Sequence, residues 1–156
     1  MKKLGLLIAT ALLLSTTAMA QESGPAAGSI GVGYYGWIQN SSALDVRYQI
    51  TDNMGVLVGL GFALIDAQEF GIAAEFIYNF ADAGAVKAQL APGIEIGIPE
   101  VGDNEIYIHL PLRAEYFPAK NFSIHTAAGL LLGLNNNKVL STYGDILGTA
   151  GFTLWL

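Results

Sequence analysis

Cysteine is absent from the chain, which excludes a disulfide framework and also a lipid anchor attached to a cysteine behind a leader. Charge is scarce: Asp, Glu, Lys and Arg make up 13% of the residues, about half the share typical of soluble domains. No apolar run after Ala20 reaches the roughly 20 residues that a transmembrane helix needs. Basic residues are also few, with seven Lys and Arg against 13 Asp and Glu, which excludes nucleic acid as a partner.

The first 20 residues have the pattern of a secretory signal peptide. Lys2 and Lys3 give the positive start, Leu4–Leu14 form the apolar core, and Ala18 and Ala20 are the small residues at the cleavage site. The apolar run is too short to be a membrane-anchoring helix. We therefore predict a cleaved signal peptide at residues 1–20, a short periplasmic segment at 21–28 and a membrane-embedded domain at 29–156.

Apolar residues are abundant, but they stand at alternate positions. They form 53% of the chain, and high apolarity without a long run is typical of membrane β-barrels. Segments of this kind are separated by residues that favour turns. They predict eight strands, at Ser29–Ile38, Ala43–Ile50, Met54–Leu64, Phe70–Phe80, Ala85–Ile98, Glu105–Phe117, Phe122–Leu134 and Leu147–Leu156.

The two faces of each predicted strand differ in size and charge. In the sixth strand, Ile108, Leu110 and Leu112 share one face, and His109 and Arg113 share the other. In other strands the second face is mostly Gly and Ala, which suit the interior of a narrow closed barrel. The pattern predicts an all-β fold, an eight-stranded antiparallel up-and-down transmembrane β-barrel with its even-numbered residues toward lipid. A soluble lipocalin-like barrel is the alternative.

The lengths of the connections predict the orientation. With the N-terminus in the periplasm, the second, fourth and sixth connections are tight periplasmic turns, such as Thr51–Asn53. The longest connection, Asn135–Ile146, then falls on the outer side, where loops of such barrels are longer.

Two stretches resemble recurring strand–turn units of small outer-membrane β-barrel proteins, the OmpA/OmpX-like porin family. They are Arg47–Gly55 (RYQITDNMG) and Leu112–Pro118 (LRAEYFP). The resemblance implies a Gram-negative outer-membrane location, insertion by the outer-membrane assembly machinery, and contact with lipopolysaccharide and phospholipid. The family usually ends on Phe, whereas this chain ends on Leu156. We expect a monomer.

Ionisable residues occupy the inward face of the predicted barrel. An isolated charge in a narrow interior costs several kcal/mol, so we predict a lumenal network of paired charges that fills the barrel. A proton or ion pathway along the same residues is the alternative. The predicted network consists of Asp45, Arg47, Glu75, Lys87, Glu95, His109, Arg113, Glu115 and His125.

No pattern indicates a catalytic, cofactor or metal site, so we expect no enzyme and a structural or membrane-stabilising role. Ser123 and His125 have the spacing of a lipid A deacylase pair, but they face inward near a periplasmic turn. One alternative function is an adhesin that binds through its outer loop. Another is a lateral gate for lipid or small apolar molecules at Pro92 and Pro111, which remove backbone donors from adjacent strands; a local bulge there is the plainer interpretation.

Overall fold

The computed structural model describes residues 24–36, 42–63, 69–100, 102–134, 140–143 and 149–156. Among these residues, no helix has the length and apolarity required to cross a membrane. Ten strands are found in this part of the chain: β1 (Ile30–Gly36), β2 (Ser42–Thr51), β3 (Met54–Ala63), β4 (Glu69–Asp82), β5 (Val86–Leu90), β6 (Gly93–Pro99), β7 (Glu105–Ala119), β8 (Phe122–Gly133), β9 (Leu140–Tyr143) and β10 (Thr149–Trp155).

The strands form one closed antiparallel barrel. The strands pair in the order in which they follow along the chain, except that β5 does not pair with β6, nor β9 with β10; β1 pairs with β10, which closes the sheet. We use stave for one strand position in the barrel wall, whether one strand or two consecutive strands occupy it. β5 and β6 both lie between β4 and β7 and form one stave. β9 and β10 together form the stave beside β8. The barrel therefore has eight staves, which confirms the predicted fold class.

Short turns join the strands at one end of the barrel, which we call the turn end. β2 and β3 are joined by Asp52 and Asn53, and β7 and β8 by Lys120 and Asn121. The Asn79 side chain on β4 donates a hydrogen bond of 3.0 Å to the Asp52 carbonyl, which ties the β2–β3 turn to the neighbouring strand. At the opposite loop end, residues 37–41, 64–68, 101 and 135–139 lie outside the described residues.

Alternate residues point to opposite faces throughout the wall. On β2 the apolar Leu44 is 60% exposed, while the neighbouring Asp45 is 2% exposed. Leu112 and Arg113 on β7 show the same contrast, at 59% and 2%. Even-numbered residues thus form an apolar outer surface and odd-numbered ones fill the lumen, as the pleat of a strand requires. This confirms the predicted assignment of the two faces in the described strands.

The last stave departs from its prediction. The stretch Asn135–Ile146 was expected to be an outer loop, but it contains β9, which pairs with β8. Gly129 on β8 lies opposite Tyr143, whereas the register of β10 would place it opposite Leu147. β9 has four residues, which is about the shortest stretch in which alternation can be recognised, so the sequence pattern did not reveal it.

Cysteine substitutions test which face meets lipid, since the chain has no cysteine of its own. Ile96→Cys and Leu132→Cys, on the exposed face, should react with a lipophilic maleimide dissolved in the bilayer. Ala73→Cys and Ala127→Cys are matched controls because these small side chains are buried in the lumen. Mass spectrometry of the labelled chains measures the difference, and equal labelling of the two pairs would refute the assignment.

Candidate functional site

The candidate site is the lumen, where glycines make room for polar side chains of the next strand. A Cβ on Gly151 would lie 2.5 Å from His125 Nε2, and one on Gly33 would lie 2.8 Å from Asp45 Oδ2. A Cβ on Gly93 would overlap the imidazole of His109 in the same way. The polar side chains therefore lie flat against the wall, each in a niche above a glycine. A larger residue in place of that glycine would fill the niche.

Arg47 on β2 organises the first group of charges, which we call the Arg47 cluster: Asp45, Arg47, Glu115 and His125. Its guanidinium Nε lies 3.2 Å from Asp45 Oδ1, and its Nη1 lies 3.1 Å from Glu115 Oε1. Its Nη2 lies 3.0 Å from Nε2 of His125. Because β2 and β7 are on opposite sides of the barrel, the Arg47–Glu115 ion pair crosses the whole lumen.

Glu115 also accepts hydrogen bonds from two uncharged side chains. Gln89 Nε2 donates to its Oε2 over 2.7 Å, and the Ser123 hydroxyl donates to its Oε1 over 2.6 Å. The indole N–H of Trp155 donates in turn to Ser123 Oγ over 3.1 Å. With Arg47, the carboxylate thus has three side-chain donors, from β2, β5 and β8, as a buried charge requires.

A second group, the Arg113 cluster, consists of Glu75, His109 and Arg113. The guanidinium of Arg113 donates to Glu75 Oε2, and His109 Nε2 lies 3.5 Å from Glu75 Oε1. The Arg113 guanidinium carbon also lies 5.2 Å from the ring centre of Tyr35, a cation–π distance. This cluster links β4 to β7 and occupies the lumen beside the Arg47 cluster.

The last two residues of the predicted network, Lys87 and Glu95, are also buried. Lys87 lies opposite Glu115 in the register of β5 and β7, yet its ammonium extends toward the turn end. There it lies 3.7 Å from Asp82 Oδ2 and 5.7 Å from the ring centre of Phe117. Glu95 lies opposite Tyr107.

All nine ionisable residues of the predicted network are buried inside the barrel, and seven of them belong to the two clusters. The prediction left out the uncharged partners Gln89, Ser123 and Trp155. Their odd positions in the alternating strands already indicated the lumen. Their specific partners could not be read from the sequence, since those depend on the stagger between distant strands.

The arrangement joins opposite sides of the barrel wall through buried ion pairs and hydrogen bonds. Within the described residues, no group of three or more His, Asp or Glu side chains is suited to hold a metal ion. Ser123 is fully occupied, donating to Glu115 and accepting from Trp155, and it faces the lumen together with His125. Neither side chain reaches the surface where a lipid substrate would lie.

Pro92, between β5 and β6, and Pro111, on β7, lack their amide donors toward different neighbouring strands. Pro92 accepts from the amide of Phe76 on β4, so the donor it lacks is on the β4 side. Pro111 accepts from the amide of Ala91 over 3.1 Å, so the donor it lacks is on the β5–β6 side. The expected bulge is wrong, because β5 and β6 keep the same register against β7. A lateral opening stays a prediction.

Replacing Arg113 tests whether the lumenal charges support the barrel. Arg113→Met should lower the free energy of unfolding by roughly 3–5 kcal/mol, because Glu75 then loses its guanidinium partner in a buried place. The double variant Arg113→Met/Glu75→Gln should recover part of this loss. Urea unfolding followed by tryptophan fluorescence measures the change, with the exposed Lys120→Met as control. Unfolding of Arg113→Met at the urea concentration of the parent would show that the network is not structural.

Alanine substitutions of two glycines on β6 test the niche under His109. Gly93→Ala should destabilise the barrel by about 1–3 kcal/mol, because the new methyl group collides with the imidazole and lies 2.5 Å from the Ala74 carbonyl oxygen. Gly97→Ala is the control, since its nearest neighbour, Glu105 Cβ, would lie at 3.7 Å. Urea midpoints of the two variants should differ; equal midpoints would contradict the niche.

Two solved structures have folds similar to this barrel. The barrel resembles the N-terminal β-barrel domain of Pseudomonas aeruginosa OprF, with a TM-score of 0.68 and 13% identity over 85% of this chain and 100% of that one. A structure from the de novo design of transmembrane β-barrels gives a TM-score of 0.52 and 11% identity over 85% of this chain and 98% of the other. No protein-family model and no curated protein matches the sequence significantly. The chain has the fold of a small transmembrane β-barrel.

Proposed function

We propose that the chain is an integral outer-membrane β-barrel protein whose lumen is closed by ion pairs and whose role is to stabilise the membrane. The observation that carries this proposal is the Arg47–Glu115 pair, which joins opposite walls at 3.1 Å. A bridge at that place blocks the passage of ions and resists deformation of the wall. The small lumenal residues around it leave space only for packed side chains.

The outer surface supports a location in lipid. Large apolar side chains of every described stave are exposed, including Leu44, Leu112 and Leu130 at half or more of their area. Such a surface would be a severe liability in water. Exposed aromatic residues lie toward the turn end on β2, β4 and β7, as expected for a girdle at the membrane boundary. They are Tyr48, Tyr78, Phe80 and Tyr116.

Export and assembly follow from the same proposal. The signal peptide at residues 1–20 would direct the chain to the periplasm, and the outer-membrane assembly machinery would insert it. The barrel would then contact phospholipid on the periplasmic side and lipopolysaccharide on the outer side, as a monomer. The pairing of β1 with β10 supports the monomer, because it closes the sheet between the first and last strands.

A non-catalytic role is part of the proposal. The pair most similar to a lipid-modifying site, Ser123 and His125, is buried in the lumen and engaged in the bonds of the Arg47 cluster. An enzyme acting on lipid needs its reactive groups at the lipid-facing surface.

Membrane fractionation and conductance test this function together. The chain should be found in the outer-membrane fraction and migrate differently on gels before and after heating, as folded barrels do. Reconstituted in planar bilayers, it should show no stable conductance, because the Arg47–Glu115 pair blocks the lumen. Well-defined channels in the parent would overturn the closed lumen, and recovery in the soluble fraction would overturn the location.

Deletion of the gene separates the structural role from its alternatives. Cells without the protein should become more sensitive to detergent, with an unchanged lipid A acyl pattern by mass spectrometry. A chain with residues 135–139 replaced by glycine and serine should restore resistance fully, whereas Arg113→Met should restore it less. If the protein is instead an adhesin, the chain with residues 135–139 replaced should fail to restore resistance, whereas Arg113→Met should restore it. An altered lipid A acyl pattern would indicate an enzyme.

A further inference from the structure

The segment that precedes β1 turns into the mouth of the barrel at the turn end. We call residues 24–29 the N-terminal strap. At its C-terminal side, the Gly28 amide donates to the Gln49 carbonyl on β2 over 2.7 Å, and the Gln49 amide donates to the Ser29 carbonyl over 3.0 Å. Between Ala26 and Ser29 the chain reverses in a turn closed by a 3.1 Å hydrogen bond. The strap is thus fastened to the wall beside β1.

The other end of the strap meets the opposite wall. A Cβ on Gly24 would lie 2.8 Å from Nζ of Lys87 on β5 and 3.2 Å from the ring of Phe117 on β7. β5 and β1 are on opposite sides of the eight-stave barrel. The strap therefore spans the mouth from one side to the other.

Burial along the strap follows this path. Gly24 and Pro25 are buried, whereas Ala26 and Ala27 are exposed. Gly24 has a positive φ of 31°, and both this conformation and the close approach of Lys87 require the absence of a side chain. Pro25 has no amide hydrogen that would need a partner inside the mouth.

We propose that the N-terminal strap is a plug that closes the turn-end mouth of the lumen over Lys87 and Phe117. Lys87 is 3% exposed although its ammonium extends toward this mouth, where Asp82 is its ion-pair partner. Water and small solutes reach the lumen from the turn end only when the strap withdraws. The proposal rests on the barrel and the strap alone, so it stands or falls independently of the membrane role.

Amine labelling of the folded chain from residue 21 onward, in detergent micelles, tests the plug. A small water-soluble acetylating reagent should modify Lys87 at least about tenfold more slowly than the exposed Lys120, because opening of the strap must come first. Gly24→Leu, which places bulk against Lys87, should raise the rate at Lys87 severalfold and leave Lys120 unchanged. Ala26→Leu places the same side chain on the exposed part of the strap and should change neither rate.

A second measurement does not depend on the folding of Gly24→Leu. In the cysteine-free chain, Pro25→Cys should react with a water-soluble maleimide about tenfold more slowly than Ala26→Cys. Equal rates at these two positions, or modification of Lys87 as fast as Lys120 in the parent, would overturn the plug. An unchanged rate at Lys87 in folded Gly24→Leu would overturn it as well, since the wall alone would then protect the ammonium.

Discussion

The closed hydrogen-bonded wall is the constraint on which the rest of this structure depends. In apolar surroundings each backbone donor and acceptor must find a partner within the protein, and a sheet achieves this without edges only by pairing its first strand with its last. Here β1 pairs with β10 and the circle contains eight staves. A circle of that size has a narrow interior, which dictates small residues inside and large apolar ones outside.

The narrow interior explains why glycine and charge occur together in the lumen. A flat niche over Gly93 or Gly151 accommodates an imidazole from the neighbouring strand, and a longer side chain such as Arg47 can then extend across the free space. Burial makes an unpaired charge costly, so Arg47 shares its guanidinium between two carboxylates. The lumen is therefore a polar core that performs the packing function of an apolar one.

The two mid-strand prolines show how much interruption the wall tolerates. Pro92 and Pro111 each remove one donor, and each still accepts a hydrogen bond from the strand beside it. Because the missing donors fall on different seams, no seam loses consecutive bonds and the register of β7 against β5 and β6 is unbroken. The stagger between neighbouring strands is therefore preserved, and lumenal side chains on distant staves stay aligned with their partners.

The sequence by itself determined the eight staves, the two faces and the burial of all nine ionisable residues, because the period of two is a local property of each strand. It did not determine β9, because a strand of four residues is too short to show that period clearly. Pairing within the lumen was decided by the tertiary structure: Arg47 and Glu115 are 68 residues apart in the chain. Their side chains meet across the lumen because closure of the barrel places β2 opposite β7 and the stagger of the strands sets the two residues at the same height. No local sequence pattern encodes that geometry.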